Sequence, residues 1–408
     1  MPKSELRAID WINKNLFWIS LIVVLLLSVI LRILPRHVLT GDSLYALIPW
    51  ADALDNGGIR NMLANTSYNY DALYAIMLWL FHQLPFSTLT CIKLMSVVFD
   101  YGCAAAMALA AYNLFGKQKF VALLAFTVGI LNPLAIINSA AWAQCDIMYT
   151  FFSVLAMYML ARGRYIPAFV FLGLNMCFKL QAWFLIPVFV IYYFTEKKFS
   201  LWYFLIPLGV FFGTGLLMPI WGGSPLWSLQ AYGDHLASYS AMVFNYPNIY
   251  ALLHLDYQDP LRVAKLDLTA AGAFTTLLLL GSILVYMLNK KLRLTRDGLF
   301  MMAAFTVLLC VFFMPRMHER YAFAGEMLLL LLCATVRRPR LIIAAALTFP
   351  AILTTYLRYM LGVNIMPLQL AALPVLAGLI LLGFELFKAD GGAGCNRYLV
   401  GEARAANG

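Results

Sequence analysis

Charged residues are scarce in this sequence. Only 12% of its 408 positions are Asp, Glu, Lys or Arg, against roughly 25% in an ordinary soluble domain, and 63% are hydrophobic. Apolar runs of about 18 or more residues recur from end to end, and a run of that length spans a bilayer. The composition excludes a soluble globular enzyme and predicts an all-α, polytopic membrane protein.

Several other signatures are missing. No CxxC pair occurs among the seven cysteines, so neither a disulfide framework nor a zinc site is indicated. The net charge of +10 comes from short clusters beside apolar runs, which fits cytoplasmic loops and anionic lipids and excludes nucleic acid as a partner. No internal repeat of the transporter kind is evident.

A metal cofactor is not expected either. The five histidines are scattered, and no paired-carboxylate motif such as DxD occurs. We therefore expect chemistry without a metal. A meeting of Asp42 and Asp71 in space is the one arrangement that would admit a divalent cation.

Basic clusters orient the predicted spans. ARGRY (161–165), EKK (196–198), NKKLRLTR (289–296) and RRPR (337–340) are all predicted to face the cytoplasm. The first span, 17–34, lacks a small-residue cleavage site and is predicted to be retained. If 70–84 is interfacial or re-entrant, about twelve helices (11–13) cross the membrane with both termini inside.

The chain is predicted to form one integral-membrane domain, 1–388, followed by a disordered tail, 389–408. Two long loops, 35–89 and 220–267, then fall on the extracytoplasmic side of a cell membrane. Apolar residues from Leu44 to Leu54 recur at helical spacing, and a Gly pair at 57–58 follows. This pattern predicts an amphipathic helix lying along the membrane surface within the first loop.

Four outer groups of polar residues are candidates for function, because ionisable groups at bilayer depth cost about 2.5–3.5 kcal/mol each. They are Asp42 in TGDS; Asn138, Trp142, Gln144 and Asp146 in NSAAWAQCD; Lys179 and Gln181 in FKLQ; and Arg316, His318, Glu319 and Arg320 in PRMHERY. All four are predicted on one face of the membrane. An outward-facing site with a base, amides and cations fits a hydroxyl-rich substrate linked to phosphate.

Each group also has a plainer interpretation. Asp42 is placed to accept a proton from an acceptor hydroxyl, or to cap a helix over 43–55. The amides beside Trp142 suit a sugar, or form an interfacial anchor and turn. Lys179 suits a phosphate, or snorkels to the interface. The basic residues of PRMHERY suit a lipid phosphate, or form an internal ion-pair network with Glu319.

Two further polar residues lie in the outer loops. Asn248 belongs to NYPNIYALL (245–253), whose polarity followed by an apolar half-turn predicts a re-entrant or interfacial element with belt tyrosines. Asp71 opens the short apolar segment 70–84.

The motifs together resemble bacterial GT-C-type glycosyltransferases related to the mannosyltransferases of GPI-anchor assembly, and more distantly the glucosyltransferases of dolichol-linked oligosaccharide assembly. The matching pieces, in order, are GD with a helix ending DNGG (41–58), IKLMSVVFD (92–100), LNPLAIINSAAWAQCDIMYTFF (131–152), FKLQA (178–182), FNYPNIYALL (244–253) and PRMHERY (315–321). Two departures occur: the family's usual WGQ reads WAQ, and its NPP-type stretch reads NYDALY (69–74).

The resemblance implies transfer of a hexose from a polyprenyl-phosphate carrier to an acceptor hydroxyl at the outer membrane face, with inversion. It implies Asp42 as catalytic base, and Lys179, Arg316, His318 and Arg320 near the donor phosphate. Substrate contacts are then expected from Asp71, Asn138, Trp142, Gln144, Asp146, Gln181, Asn248 and Glu319. The acceptor stays open among a cell-wall polymer, a capsular repeat, a glycolipid and a protein.

Three other functions compete with this one. A flippase for lipid-linked sugars would share the basic pocket without needing Asp42, and would distribute polar residues through mid-bilayer positions. A ligase for whole glycans, like the O-antigen ligases, would carry one large late outer loop. An assembly subunit would have no site at all.

Overall fold

The chain is almost entirely helical. The computed structural model describes residues 1–237, 241–255, 262–263 and 266–390, and it is 76% helical. From residue 391 onward, the predicted tail lies outside the described residues. Parts of the loop 220–267 also lie outside them.

In chain order the α-helices are Lys3–Ile33, Ile48–Asp52, Gly58–Asn65, Ala72–His82, Thr88–Leu114, Lys119–Ile130, Pro133–Ile136, Asp146–Ala161, Tyr165–Met176, Ile186–Glu196, Leu205–Gly215, Trp227–Ala237, Ile249–Leu252, Leu268–Lys290, Arg296–Phe313, Phe323–Thr335, Pro339–Leu361 and Leu368–Asp390. Ser43–Leu47 and Ile137–Ala141 are single π-helical turns, and Leu180–Leu185, Leu201–Phe204 and Met218–Trp221 are 3₁₀-helical. Strand Val243–Phe244 pairs in parallel with Met317–His318, and Arg262–Val263 pairs antiparallel with Leu266–Asp267.

Seven helices of the described residues are long and apolar enough to cross a membrane, or eight if a bent pair counts as one span. This confirms a multi-pass membrane protein. Five shorter apolar helices accompany them: Ala72–His82, Asp146–Ala161, Tyr165–Met176, Leu180–Glu196 and Phe323–Thr335. The count of about twelve stays a prediction, because it depends on how many of the shorter helices cross.

The segment predicted to be interfacial or re-entrant contains the helix Ala72–His82, of 11 residues. At 1.5 Å per residue it is about 16 Å long, and the apolar core of a bilayer is about 30 Å thick. The helix is therefore too short to cross alone.

Helical geometry is interrupted at two positions in the interior. Lys119–Ile130 and Pro133–Ala141 meet at 45°, because Pro133 starts a new helix that Asn132 caps by accepting the Leu134 N–H at 3.0 Å. Between Met176 and Leu180 the chain leaves helical geometry, with Lys179 extended at φ −151°. These breaks turn the polar motifs inward at one end of the bundle.

The basic clusters lie together at the other end. Glu196 Oε1 accepts the Leu294 N–H at 3.0 Å, and Arg338 pairs with Asp297 at 2.5 Å. Helix Arg296–Phe313 starts beside that pair and ends at the PRMHERY segment. The basic loops and the candidate site are thus separated by the length of a helix.

Gly173 allows two helices to pack closely. A Cβ at Gly173 would lie 2.7 Å from Val210 Cβ and 2.9 Å from Pro207 Cα, whereas one at Gly213 would meet nothing within 4 Å. Both glycines are in helices.

We expect Gly173→Ala to lower the free energy of unfolding by about 1–3 kcal/mol, because the methyl group forces two helices apart. Gly213→Ala is the matched control, and it should be neutral or mildly stabilising. Unfolding of both variants in detergent micelles measures the effect. Equal stability of Gly173→Ala and wild type would contradict this packing.

Candidate active site

Asp42 lies at the start of the π-helical turn Ser43–Leu47. Its side chain makes no capping hydrogen bond; Ser43 Oγ accepts the Thr40 N–H at 2.8 Å instead. The carboxylate Oδ2 accepts from Trp142 Nε1 at 2.9 Å and from Gln144 Nε2 at 2.6 Å. The side chain is therefore aimed at the NSAAWAQCD segment, and the helix-cap interpretation does not describe it.

Trp142 is held rigidly. Its ring stacks on Tyr359 at 4.1 Å and meets the edge of Tyr356 at 5.6 Å. The Arg320 guanidinium lies 4.9 Å from the ring centroid, which is within cation–π range. These three neighbours fix the orientation of the indole, so its N–H points toward Asp42.

The backbone turns sharply after Trp142. Ala143 has φ +65°, a left-handed conformation that glycine usually provides at helix ends. The Gln144 N–H reaches the Asn138 carbonyl at 2.8 Å across this turn. The alanine that replaces the expected glycine of WGQ thus carries backbone strain as well as a methyl group. The turn directs the Gln144 side chain to Asp42.

Asp146 organises the buried side of the site. It is fully buried and accepts from Asn138 Nδ2 at 2.9 Å and from Lys179 Nζ at 2.8 Å. Lys179 also donates to Gln144 Oε1 at 3.1 Å. The amides of one motif and the lysine of another therefore form one hydrogen-bonded network.

Arg320 links the two carboxylates. Its guanidinium nitrogens lie 3.7 Å from Asp42, 3.8 Å from Asp146 and 3.3 Å from Glu319. The first two distances exceed a hydrogen bond, and among the described residues Nε has no hydrogen-bond acceptor. Burial lowers the pKa of Arg320, but Asp42 and Glu319 outweigh burial and raise it well above its ordinary value. The Arg320 guanidinium therefore stays charged, and its Nε–H can donate to a ligand.

Glu319 is almost fully buried, with 1% of its side chain exposed. Burial raises its pKa from 4.5 to about 7 and outweighs the neighbouring Arg320 charge, which lowers it. Burial therefore favours the neutral form of this carboxyl, which weakens its neutralisation of Arg320.

A polar cavity of about 310 Å³ opens onto this network. Its wall consists of Asp42, Ala46, Leu47, Trp50, Ser67, Asn69, Tyr70, Gln144, Lys179, Arg320 and Tyr321. The Asp42 side chain is 34% exposed, while Arg320 is 7% and Lys179 is 6% exposed. A carboxylate and two cations thus face one partly open cavity.

An apolar chamber of about 320 Å³ lies next to the cavity, and Tyr321 belongs to both walls. Its other lining residues are Leu180, Gln181, Trp183, Phe184, Thr269, Ala273, Met314, Pro315, Arg316 and Met317. Gln181 and Arg316 therefore belong to this chamber and not to the polar cavity.

The structure places His318 and Asn248 outside both spaces, in other contacts. The His318 ring stacks on Phe244 at 4.9 Å. Asn248 caps the short helix Ile249–Leu252 by accepting the Tyr250 and Ala251 N–H groups. The PRMHERY residues are thus divided: Arg320 faces the cavity, Arg316 the chamber and His318 the strand pair.

Asp71 is fully buried. Its Oδ1 accepts from the Ala72 N–H and from Ser228 Oγ, both at 2.7 Å. Burial raises its pKa to about 6, against the effect of these two hydrogen bonds. Among the described residues no group of three His, Cys, Asp or Glu side chains could hold a metal, and Asp71 does not join Asp42 in the cavity wall.

Several cavity residues were missed from the sequence. Ser67, Asn69 and Tyr70 line the cavity, and the Tyr70 ring lies 6.0 Å from Lys179 Nζ. Tyr356 and Tyr359, which hold Trp142, come from the distant helix Pro339–Leu361. Their three-residue spacing puts both tyrosines on one helix face, and this spacing is the one feature of the sequence that could have predicted their shared role.

No protein-family model and no curated protein sequence matches the chain.

The raised pKa of Glu319 makes stability depend on pH. The folded state holds the proton up to about pH 7, and the unfolded state releases it near 4.5, so the free energy of unfolding should fall as pH rises through this interval. Glu319→Gln should reduce that fall, with the remainder coming from Asp71, whose pKa burial also raises, and the exposed Glu5→Gln should leave it unchanged. Thermal unfolding in detergent at several pH values measures this. A Glu319→Gln variant with the wild-type pH slope would contradict the assignment.

Proposed function

We propose that the chain is a GT-C-type membrane glycosyltransferase that transfers a hexose from a polyprenyl-phosphate donor to an acceptor hydroxyl. One observation carries the proposal. Asp42 shares the wall of a polar cavity with Lys179 and Arg320. A base and two cations around one volume are what a phosphate-linked sugar and a hydroxyl acceptor require.

The donor phosphate fits the cationic wall. Arg320 offers an Nε–H without an acceptor among the described residues, and guanidinium groups bind phosphate strongly. Lys179 supplies a second positive charge. The apolar chamber continues from the cavity across Tyr321, so a donor with its phosphate at Arg320 would have an apolar space beside it for the start of its polyprenyl chain.

The proposed transfer needs only Asp42, the two cations, the acceptor and the donor. The acceptor oxygen attacks the anomeric carbon, and Asp42 takes the hydroxyl proton. The bond from the anomeric carbon to the phosphate oxygen breaks, and the electron pair leaves with polyprenyl phosphate. A single displacement inverts the anomeric configuration. Phosphate is a good leaving group, so the cations need only stabilise the charge that develops on it.

The hydrogen bonds to Asp42 suit a base. Trp142 and Gln144 each donate to the same oxygen, Oδ2, which leaves Oδ1 for an acceptor hydroxyl. The rigid indole fixes the direction of the carboxylate, and positioned groups of this kind contribute most when they do not reorganise during the reaction.

The size of the cavity argues for a single sugar. Sites for small molecules run from about 300 to 1,000 Å³, and this one holds about 310 Å³. A monosaccharide with its phosphate suits that volume better than a whole glycan, which disfavours a glycan ligase.

The extracytoplasmic face is the side we propose for the site. Basic loops favour the cytoplasm, and here they lie one helix length away from Asp42 and Arg320. The helix Arg296–Phe313 begins at the basic end and has 18 residues, which is about 27 Å.

The test is transfer of radiolabelled hexose from a panel of polyprenyl-phosphate sugars to membrane acceptors by the purified chain in liposomes. Wild type should transfer one sugar and release polyprenyl phosphate. Asp42→Asn should reduce transfer by about 10²–10⁴-fold, because the base is lost, while donor binding persists.

Asp52→Asn is the matched control, since Asp52 is an exposed carboxylate of the same loop that accepts from Thr88 at 2.7 Å. It should transfer as wild type does. Equal activity of Asp42→Asn and wild type would remove Asp42 from the chemistry. Movement of labelled lipid across the bilayer without any transfer would identify a flippase instead.

A further inference from the structure

A third cavity, separate from the polar cavity and the apolar chamber, opens on the side of the first helix. It has a volume of about 290 Å³ and lies between helices Lys3–Ile33 and Thr88–Leu114. Its lining is formed by Val29, Arg32, Ile33, Arg36, Thr90, Lys93, Leu94, Val97, Tyr101 and Ala140. Only 11% of the apolar window of the first helix is buried, so this groove faces the surroundings of the protein, which for an apolar helix is the membrane.

Positive charge collects at one end of the groove. Three of its lining residues are basic and none is acidic. Arg32 is neutralised by Asp100, whose Oδ2 lies 2.8 Å from Nε. Arg36 and Lys93 instead donate to backbone carbonyls at the end of the first helix, at distances from 2.8 to 3.3 Å.

Carbonyl dipoles offset a full charge only in part. The groove therefore combines an apolar wall of helix side chains with two cations that no carboxylate of the described residues neutralises. Arg36 is exposed, so its guanidinium is accessible at the mouth of the groove. An amphiphile with an anionic head and an apolar chain matches both halves of this surface.

The groove also borders the chain segment that leads to Trp142 and Gln144 of the candidate active site. Ala140 belongs to the π-helical turn Ile137–Ala141, and Ser139 of the same turn donates to Asp100 at 2.5 Å. The next residues along the chain are Trp142 and Gln144, which hold Asp42. A molecule in the groove would thus pack against the segment that positions the proposed base.

We propose that this groove binds one anionic phospholipid, with its phosphate at Arg36 and an acyl chain along Val29, Ile33, Leu94 and Val97. The site is separate from the polar cavity and from the apolar chamber. It stands without the proposed transferase activity, because it depends only on the groove and its charge.

Lipid titration of the purified full-length chain, followed by native mass spectrometry, tests the proposal. Phosphatidylglycerol and phosphatidylcholine with identical acyl chains are the two probes. Wild type should bind one phosphatidylglycerol at least about tenfold more tightly than phosphatidylcholine, and that lipid should raise the thermal unfolding temperature.

Arg36→Gln should abolish this preference without affecting the fold, since Arg36 is exposed and its side chain donates to the Ile33 carbonyl at the end of the first helix. Val97→Phe should weaken both lipids by filling the groove. Arg60→Gln is the control, because Arg60 is an exposed arginine of the first loop that contacts the Ile220 carbonyl at 3.4 Å. It should bind as wild type does.

Three results would overturn the proposal: equal affinity of wild type for both lipids, an unchanged preference in Arg36→Gln, or wild-type lipid binding by Val97→Phe. The first would mean that only non-specific boundary lipid surrounds the helix. None of these results bears on sugar transfer by the polar cavity, so failure here and failure of the proposed function are distinguishable.

Discussion

The position of Arg320 is the constraint on which the candidate site depends. Its guanidinium lies within 4 Å of Asp42, Asp146 and Glu319 and covers the Trp142 ring. A buried cation of this kind is costly unless carboxylates surround it, and carboxylates so close together would repel one another without it. The charge therefore holds together three chain segments that are distant in sequence, and it does so at the wall of the cavity.

The other residues of the site hold those charges in position. Lys179 neutralises Asp146 at 2.8 Å, while Arg320 lies beyond hydrogen-bond distance of both aspartates and retains a donor. Trp142, fixed by Tyr356 and Tyr359, aims one N–H at Asp42. A cavity whose donors and base are already oriented needs little reorganisation when charge moves, which is the condition for electrostatic catalysis. The apolar chamber beside it shares Tyr321 with the cavity and would suit the chain of the lipid-linked donor that we propose.

Sequence reasoning predicted which motifs would meet, and it was less able to predict which way each side chain would point. NSAAWAQCD, FKLQ and the end of PRMHERY do converge, because helix breaks at Pro133 and Lys179 turn them to one end of the bundle. Arg316 and His318 do not join Arg320. Arg316 has a left-handed backbone at φ +64°, and after the short strand Met317–His318 the Tyr321 N–H turns back to the His318 carbonyl. The backbone thus changes direction on both sides of His318, so the three side chains diverge. Asp71 became a buried helix cap, and the two tyrosines behind Trp142 come from a helix about 200 residues away whose pattern is simply apolar.

The most direct test of this account is a cryo-electron microscopy structure of the chain in lipid nanodiscs with polyprenyl phosphate, the expected product. We predict phosphate density in the polar cavity between Lys179 and Arg320, with the first isoprene units entering the chamber past Tyr321. Phosphate density elsewhere, with the cavity closed and Asp42 turned away from it, would contradict the assignment of this site to a lipid-linked phosphate.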